Sequence, residues 1–139
     1  IRAYEIKLFT KKSMYSWFKN TKSNYKQKDF YKIYIDFPRD ELLERINSRV
    51  EKMIKRGAVL EVKKFIKLNI PKSKSAHKAI GINEIREYIH KKIQINDLIE
   101  KISIKTRQYA KRQSTWGRGN MRDWYKINPK GLNQFLKKI

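Results

Sequence analysis

The chain has 139 residues, enough for one domain or a piece of one, and a hydrophobic content of 40% with 12% aromatic residues excludes wholesale disorder. Its 35 Lys and Arg against 13 Asp and Glu leave a formal charge of +22, a self-repulsion that calls for a polyanionic partner, nucleic acid first and an anionic membrane surface second. The absence of cysteine excludes a disulfide frame or thiolate metal site, and neither His77 nor His90 stands at a metal-ligand spacing.

No apolar run approaches the roughly 20 residues of a membrane span and no signal-peptide pattern opens the chain, so no membrane association and a cytoplasmic location are expected. The chain starts on Ile1 inside a helical stretch, which reads as the middle of a longer protein. Residues 1–18 form a helical remnant, with Ala3, Ile6, Leu8 and Phe9 apolar and an aromatic turn or short helix from Ser13 to Phe18. Residues 19–28 carry one apolar residue, Tyr25, and read as a basic linker. Residues 30–37 are β-rich, end at Pro38 and place apolar residues on both faces, which predicts an interior strand of an α/β sheet.

After Pro38, with Asp40 and Glu41 to complement the positive end of a helix, Leu42, Leu43, Ile46, Val50, Met53 and Ile54 form a helical stripe as far as Arg56, where Gly57 stops it. A second helix is expected over 58–68, a basic loop over 69–78, a third helix from Asn83 to His90, and a long one opening near Asn96, where Asp97 and Glu100 have capping-box spacing. A short strand over 123–127 and a terminal helix from Pro129 to Ile139 complete the order. Two strands alone make no stable sheet, so further strands are expected upstream of residue 1. The predicted class is α/β: a mostly helical C-terminal part of a parallel-sheet protein, with strands at about 30–37 and 123–127 and five or six helices.

The long helix carries the densest polar chemistry. On a helix Arg107, Lys111 and Ser114 stack on one face with Gln108 and Arg112 beside them, and forks, amides and an ammonium on one ridge suit phosphate oxygens and base edges. Arg49 follows a strand-to-helix junction, where α/β proteins place ligands and where an Arg can clamp a phosphate; pairing with Glu44 or Glu51 is the bland alternative. Gly81 allows close backbone approach in the loop from Ser75 to Asn83. No phosphate-cradling GxxxxGK loop, catalytic triad or HExxH is present, and the acids read as caps or helix surface, so the residues alone supply no enzyme.

Four segments together resemble the C-terminal half of bacterial tRNA dimethylallyltransferase, the isopentenyl-transferase family. They are Ile1-Arg2-Ala3-Tyr4-Glu5 with Thr10-Lys11-Lys12-Ser13 and Trp17; Pro38-Arg39 with Leu42, Arg45-Ile46, Arg49-Val50, Met53 and Gly57; Lys78-Ala79-Ile80-Gly81-Ile82; and Thr106 to Trp116, which matches the family almost letter for letter. The resemblance spans residues 1 to about 127. Two departures stand out. Lys11 replaces the glycine of the family's Thr-Gly-Lys, and Lys78, Ile82 and Asn83 stand where many relatives have Arg and a Tyr-Arg pair.

The resemblance implies transfer of a dimethylallyl group from dimethylallyl diphosphate to the exocyclic amine of the adenosine 3′ of the anticodon, flipped out of its loop. It implies a P-loop and a basic Asp in an N-terminal part, and a Mg2+ ion whose ligands lie outside this chain. It assigns Arg49 to the departing diphosphate, and Arg2, Lys78, Gly81, Asn83, Thr106, Arg107, Gln108, Lys111, Arg112 and Gln113 to the tRNA. The implied partners are the tRNA anticodon stem-loop and dimethylallyl diphosphate, with no membrane and a monomeric state. The 139-residue chain by itself is expected to bind RNA and transfer nothing; the alternative reading is a non-catalytic basic RNA-binding module.

Overall fold

Helix α3 (Arg39–Lys55) turns its apolar stripe inward, burying Ile46 and Val50, and ends where Gly57 takes φ 102°, a left-handed conformation that residues with a Cβ resist. That turn sends α4 (Ala58–Lys67) back against α3, and α4 in turn packs on α5 (Ile82–Ile89). The long helix α6 (Ile95–Asn120) lies against both α3 and α5. Val50, Ala58, Val62, Ile85, Leu98 and Ile102 form the core of these four helices, with Leu98 and Ile102 fully enclosed. Each Val, Leu or Ile among them gains about 1.5–3 kcal/mol on burial, so the helices stand chiefly on this shared interior.

Strand β1 (Ile33–Ile35) pairs in parallel with β2 (Tyr125–Ile127), Ile33 opposite Tyr125 and Ile35 opposite Ile127. The Asp36 N–H donates to the Ile127 carbonyl at 3.0 Å and Ile127 is buried beneath the pair. A 3-10 turn at Pro129–Gly131 and helix α7 (Leu132–Leu136) follow, with Phe135 stacked on Tyr125 at 5.2 Å between ring centres.

In this computed structural model residues 1–138 are described, and they fall into two compact units, residues 1–32 and those from Ile33 onward. In the first unit, α1 (Arg2–Thr10) ends at Lys11, whose φ of 59° is the left-handed conformation a glycine would take without strain. Helix α2 (Met14–Asn20) is capped by Ser13, whose Oγ accepts from the Ser16 N–H at 3.1 Å. The Trp17 indole N–H donates to Thr10 Oγ1 at 3.3 Å.

The class is α/β and mostly helical: seven helices and a two-stranded parallel sheet among the described residues. Several boundaries differ from the sequence reading. The strand expected over 30–37 is three residues long with Ile35 exposed, because β2 offers only three partners. Helix α5 begins at Ile82, one residue early, as Gly81 takes the cap position at φ 104°. At the start of α6 the box lies one turn earlier: the Gln94 N–H donates to Asp97 Oδ2 at 3.0 Å, so Asp97 is the third helical residue rather than the cap. The terminal helix stops at Leu136, and Ile139 lies outside the described residues. The aromatic segment after Ser13 is a helix, which brings the count above the five or six expected.

Candidate nucleic-acid interface

Burial of Leu98, Ile102 and Ser103 fixes the rotation of α6, and that rotation decides where its polar half points. Arg107, Lys111, Ser114 and Arg118 follow one another at helical spacing and line a cleft of about 430 Å3, joined by Gln108. The opposite wall is Phe37 with Arg39, Leu42, Leu43 and Ile46 of α3. The cleft therefore has an apolar floor and a rim of four cations and one carboxylate, Asp36. Such a floor suits the face of a base or an isoprenoid chain, and such a rim suits phosphate oxygens.

Gly117 lets this part of α6 approach the sheet. It is buried, and a Cβ there would lie 2.7 Å from Cε2 of Tyr34 on β1. Arg112 and Gln113 point elsewhere. They are exposed, outside the cleft, and the Arg112 guanidinium lies 5.8 Å from the ring centre of Tyr109. The Thr106 hydroxyl donates to the Ile102 carbonyl at 2.8 Å, which fixes its oxygen with lone pairs outward.

Arg49 lies in a different place. It is exposed in a broad groove of about 1000 Å3 that runs along α3 toward α4, and Thr106 forms part of its wall. Phe37, Leu42 and Ile46 border both the groove and the cleft, so they form the ridge between them. Among the described residues Arg49 takes part in no ion pair, and neither Glu44 nor Glu51 holds it.

The loop before α5 is built around one carboxylate that the sequence reading passed over. Glu84 is 4% exposed, accepts from the Gly81 N–H at 2.9 Å, and receives a hydrogen bond from the Lys105 ammonium of α6. Burial works against its charge, but the Lys105 ammonium and the N–H groups of Glu84 and Gly81 overcome it and hold the carboxyl below its ordinary 4.5. The Gly81-to-Glu84 spacing of three is the available signal, although the sequence alone places Gly81 in a loop and Glu84 in the helix that follows it. Gly81 itself is buried, 3.7 Å in Cβ terms from Ile102 Cδ1.

Lys78 is exposed at the end of a 3-10 turn (Ser75–Lys78). That turn is pinned by His77, whose Nε2 is 2.9 Å from the Ile70 carbonyl and whose ring meets Phe65 edge-on. Asn83 is exposed on a third, charged cavity of about 420 Å3, with Glu84, Arg86 and Lys105. Arg2 is exposed on α1 in the first unit. The structure thus brings Arg107, Gln108 and Lys111 together, sets Thr106 beside Arg49, ties Gly81 to α6 through Glu84, and leaves Arg112, Gln113, Lys78 and Asn83 on neighbouring surfaces.

Among the described residues no three His, Cys, Asp or Glu side chains converge as a metal site, and no helix is long and apolar enough to cross a membrane.

The family model described as IPP transferase matches residues 1–120. The chain is 50% identical over 139 residues to the tRNA dimethylallyltransferase of Pelagibacter ubique (strain HTCC1062), covering all of this chain and 44% of that protein. It is 39% identical over 116 residues to the tRNA dimethylallyltransferase of Ehrlichia canis (strain Jake), covering 84% of this chain and 39% of the relative. Among solved structures, the tRNA delta(2)-isopentenylpyrophosphate transferase of Staphylococcus epidermidis aligns with a TM-score of 0.69 at 30% identity, over 99% of this chain and 48% of that one. The tRNA isopentenylpyrophosphate transferase of Bacillus halodurans aligns at 0.64 and 32% identity, over 81% and 35%. The chain spans less than half the length of these relatives.

Proposed function

The chain belongs to the IPP transferase family, and from that premise we propose that it acts as the RNA-gripping portion of a tRNA dimethylallyltransferase. The proposed reaction moves a dimethylallyl group from dimethylallyl diphosphate to the exocyclic amine of the adenosine 3′ of the anticodon. The observation that carries this reading is the cleft between α3 and α6. Its floor of Phe37, Leu42 and Ile46 takes the apolar face of a displaced base, while Arg39, Arg107, Lys111 and Arg118 hold the flanking phosphates. Flipping a base out of its stack costs a few kcal/mol, and fixed phosphate contacts on a rigid helix are what offset it.

In the transfer the carbon–oxygen bond to the diphosphate breaks, a carbon–nitrogen bond forms, and the amine gives up a proton. Negative charge collects on the departing diphosphate. Arg49, exposed in its groove with no ion pair among the described residues, is the cation that offsets that charge in this proposal. The base that takes the proton belongs to no described residue in this proposal. The magnesium ion implied by the family resemblance has no ligand set among the described residues, so no step is derived through it. A monomer is proposed.

The test uses the full-length protein and an anticodon stem-loop RNA. Binding should weaken steeply with salt, and Arg107→Ala should weaken it about tenfold and flatten the salt slope by close to one phosphate. Labelled dimethylallyl groups should appear on the RNA. Salt-independent binding, or binding without transfer in the intact protein, would overturn the reading; the latter outcome would favour a non-catalytic RNA-binding module.

A further inference from the structure

The groove along α3 holds more positive charge than a single diphosphate can use. Arg45, Arg49, Lys52 and Arg56 all line it and are all exposed. Their intervals of four, three and four residues place them on one stripe, within about 60° of the helix circumference. None belongs to the ion pairs of the described residues, which join Lys101 to Glu87, Lys105 to Glu84 and Lys130 to Glu41. Glu44 and Glu61 border the same groove without pairing to them. Like charges a turn apart repel and weaken a helix, and anions along the stripe would relieve that repulsion.

Length decides which anion. From Arg45 to Arg56 the helix axis advances about 16 Å at 1.5 Å per residue. Two phosphates sharing a bridging oxygen fit within a single turn, about 5.4 Å. A diphosphate at Arg49 can also reach Lys52, about 4.5 Å along the axis, but leaves Arg56, about 10 Å along, unoccupied. A nucleic-acid strand, with one phosphate per nucleotide, can reach all of them. At the other end, the Arg45 guanidinium is already ordered over the Phe37 ring, 4.8 Å from its centre. Phe37 also borders the cleft of Arg107 and Lys111, so a strand lying along α3 has only the Phe37 ridge to cross to reach that cleft.

We propose that Arg56 binds the backbone of the RNA strand that runs from the cleft past Arg49, a second RNA track separate from the α6 face. This rests on the RNA-transferase reading above. The test is an Arg56→Ala variant of the full-length protein, titrated with a stem-loop RNA carrying single-stranded flanks between about 50 and 200 mM salt. The slope of log affinity against log salt should shrink by about 0.7, the value for one single-strand phosphate, and KM for the RNA should rise while KM for dimethylallyl diphosphate stays. Arg56→Lys should restore the slope. An unchanged slope, or a rise in KM for the diphosphate alone, overturns the track and leaves the α6 face standing. If the unmutated protein shows no salt-dependent binding, the transferase reading itself falls and the track with it.

Discussion

Gly117 and Gly119 lie two residues apart on the same helix, and the structure predicts opposite outcomes for the same substitution. A Cβ at Gly117 would meet the Tyr34 ring at 2.7, 3.1 and 3.1 Å, whereas one at Gly119 meets nothing within 4 Å. Alanine is favoured over glycine inside a helix by about 0.8–1 kcal/mol. Against this, forcing an extra methyl into a packed contact costs about 1–3 kcal/mol, and the whole ring of Tyr34 must give way, since all three close atoms belong to it. Gly117→Ala should therefore destabilise by up to about 2 kcal/mol, and Gly119→Ala should be neutral or stabilise by up to about 1 kcal/mol. Chemical denaturation of the two variants measures both. The decisive case is Gly117→Ala on a Tyr34→Ala background, where the obstruction is gone and the substitution should become stabilising. If Gly117→Ala destabilised equally in both backgrounds, the packing of α6 against β1 would be wrong.

Glu84 carries the pH dependence. Its folded carboxyl titrates below the ordinary 4.5, so its contribution is present above that value and is lost as pH falls through the lower folded one. Denaturation midpoints of the parent should drop more steeply below pH 4.5 than those of Glu84→Gln, and parallel profiles would refute the assignment. At neutral pH Glu84→Ala should cost about 1–3 kcal/mol, because the buried Gly81 N–H loses its acceptor. In the full-length protein Arg49→Ala should lower turnover by about 2–4 kcal/mol with RNA affinity largely kept, if it acts on the departing diphosphate. Steady-state kinetics beside a binding titration separate the two, and intact turnover would remove Arg49 from that role.

The helical core was legible in the sequence because its signal is periodic. Val50, Val62, Ile85, Leu98 and Ile102 sit where helical spacing puts them, and Gly57 stops α3 for the reason a glycine should. The strand is shorter than its composition suggests: 30–37 is rich in aromatic residues and isoleucine, but strand length is set by the partner, and β2 supplies three residues. On α6, spacing grouped Arg107 with Lys111 and Ser114, yet it could not show that Arg112 turns away, since that depends on which side Leu98 and Ile102 bury. Glu84 illustrates a different limit. Its spacing to Gly81 is visible, but its burial depends on Lys105, 21 residues on, arriving from another helix. Nothing local announces such a meeting.

The pairing of β1 with β2 has a consequence for the order of folding. It closes a loop of about 90 residues, and closing such a loop in a free chain costs about 4 kcal/mol, with a slow logarithmic dependence on length. A ladder of three residues with one buried side chain cannot offset that by itself. The helices between the strands must therefore pack first, carrying both ends into register, and the ladder then closes as a late clasp. During synthesis Ile127 leaves the ribosome after all four core helices, so a nascent chain halted before it would hold a formed helical core with Ile33 to Ile35 still waiting for their partner.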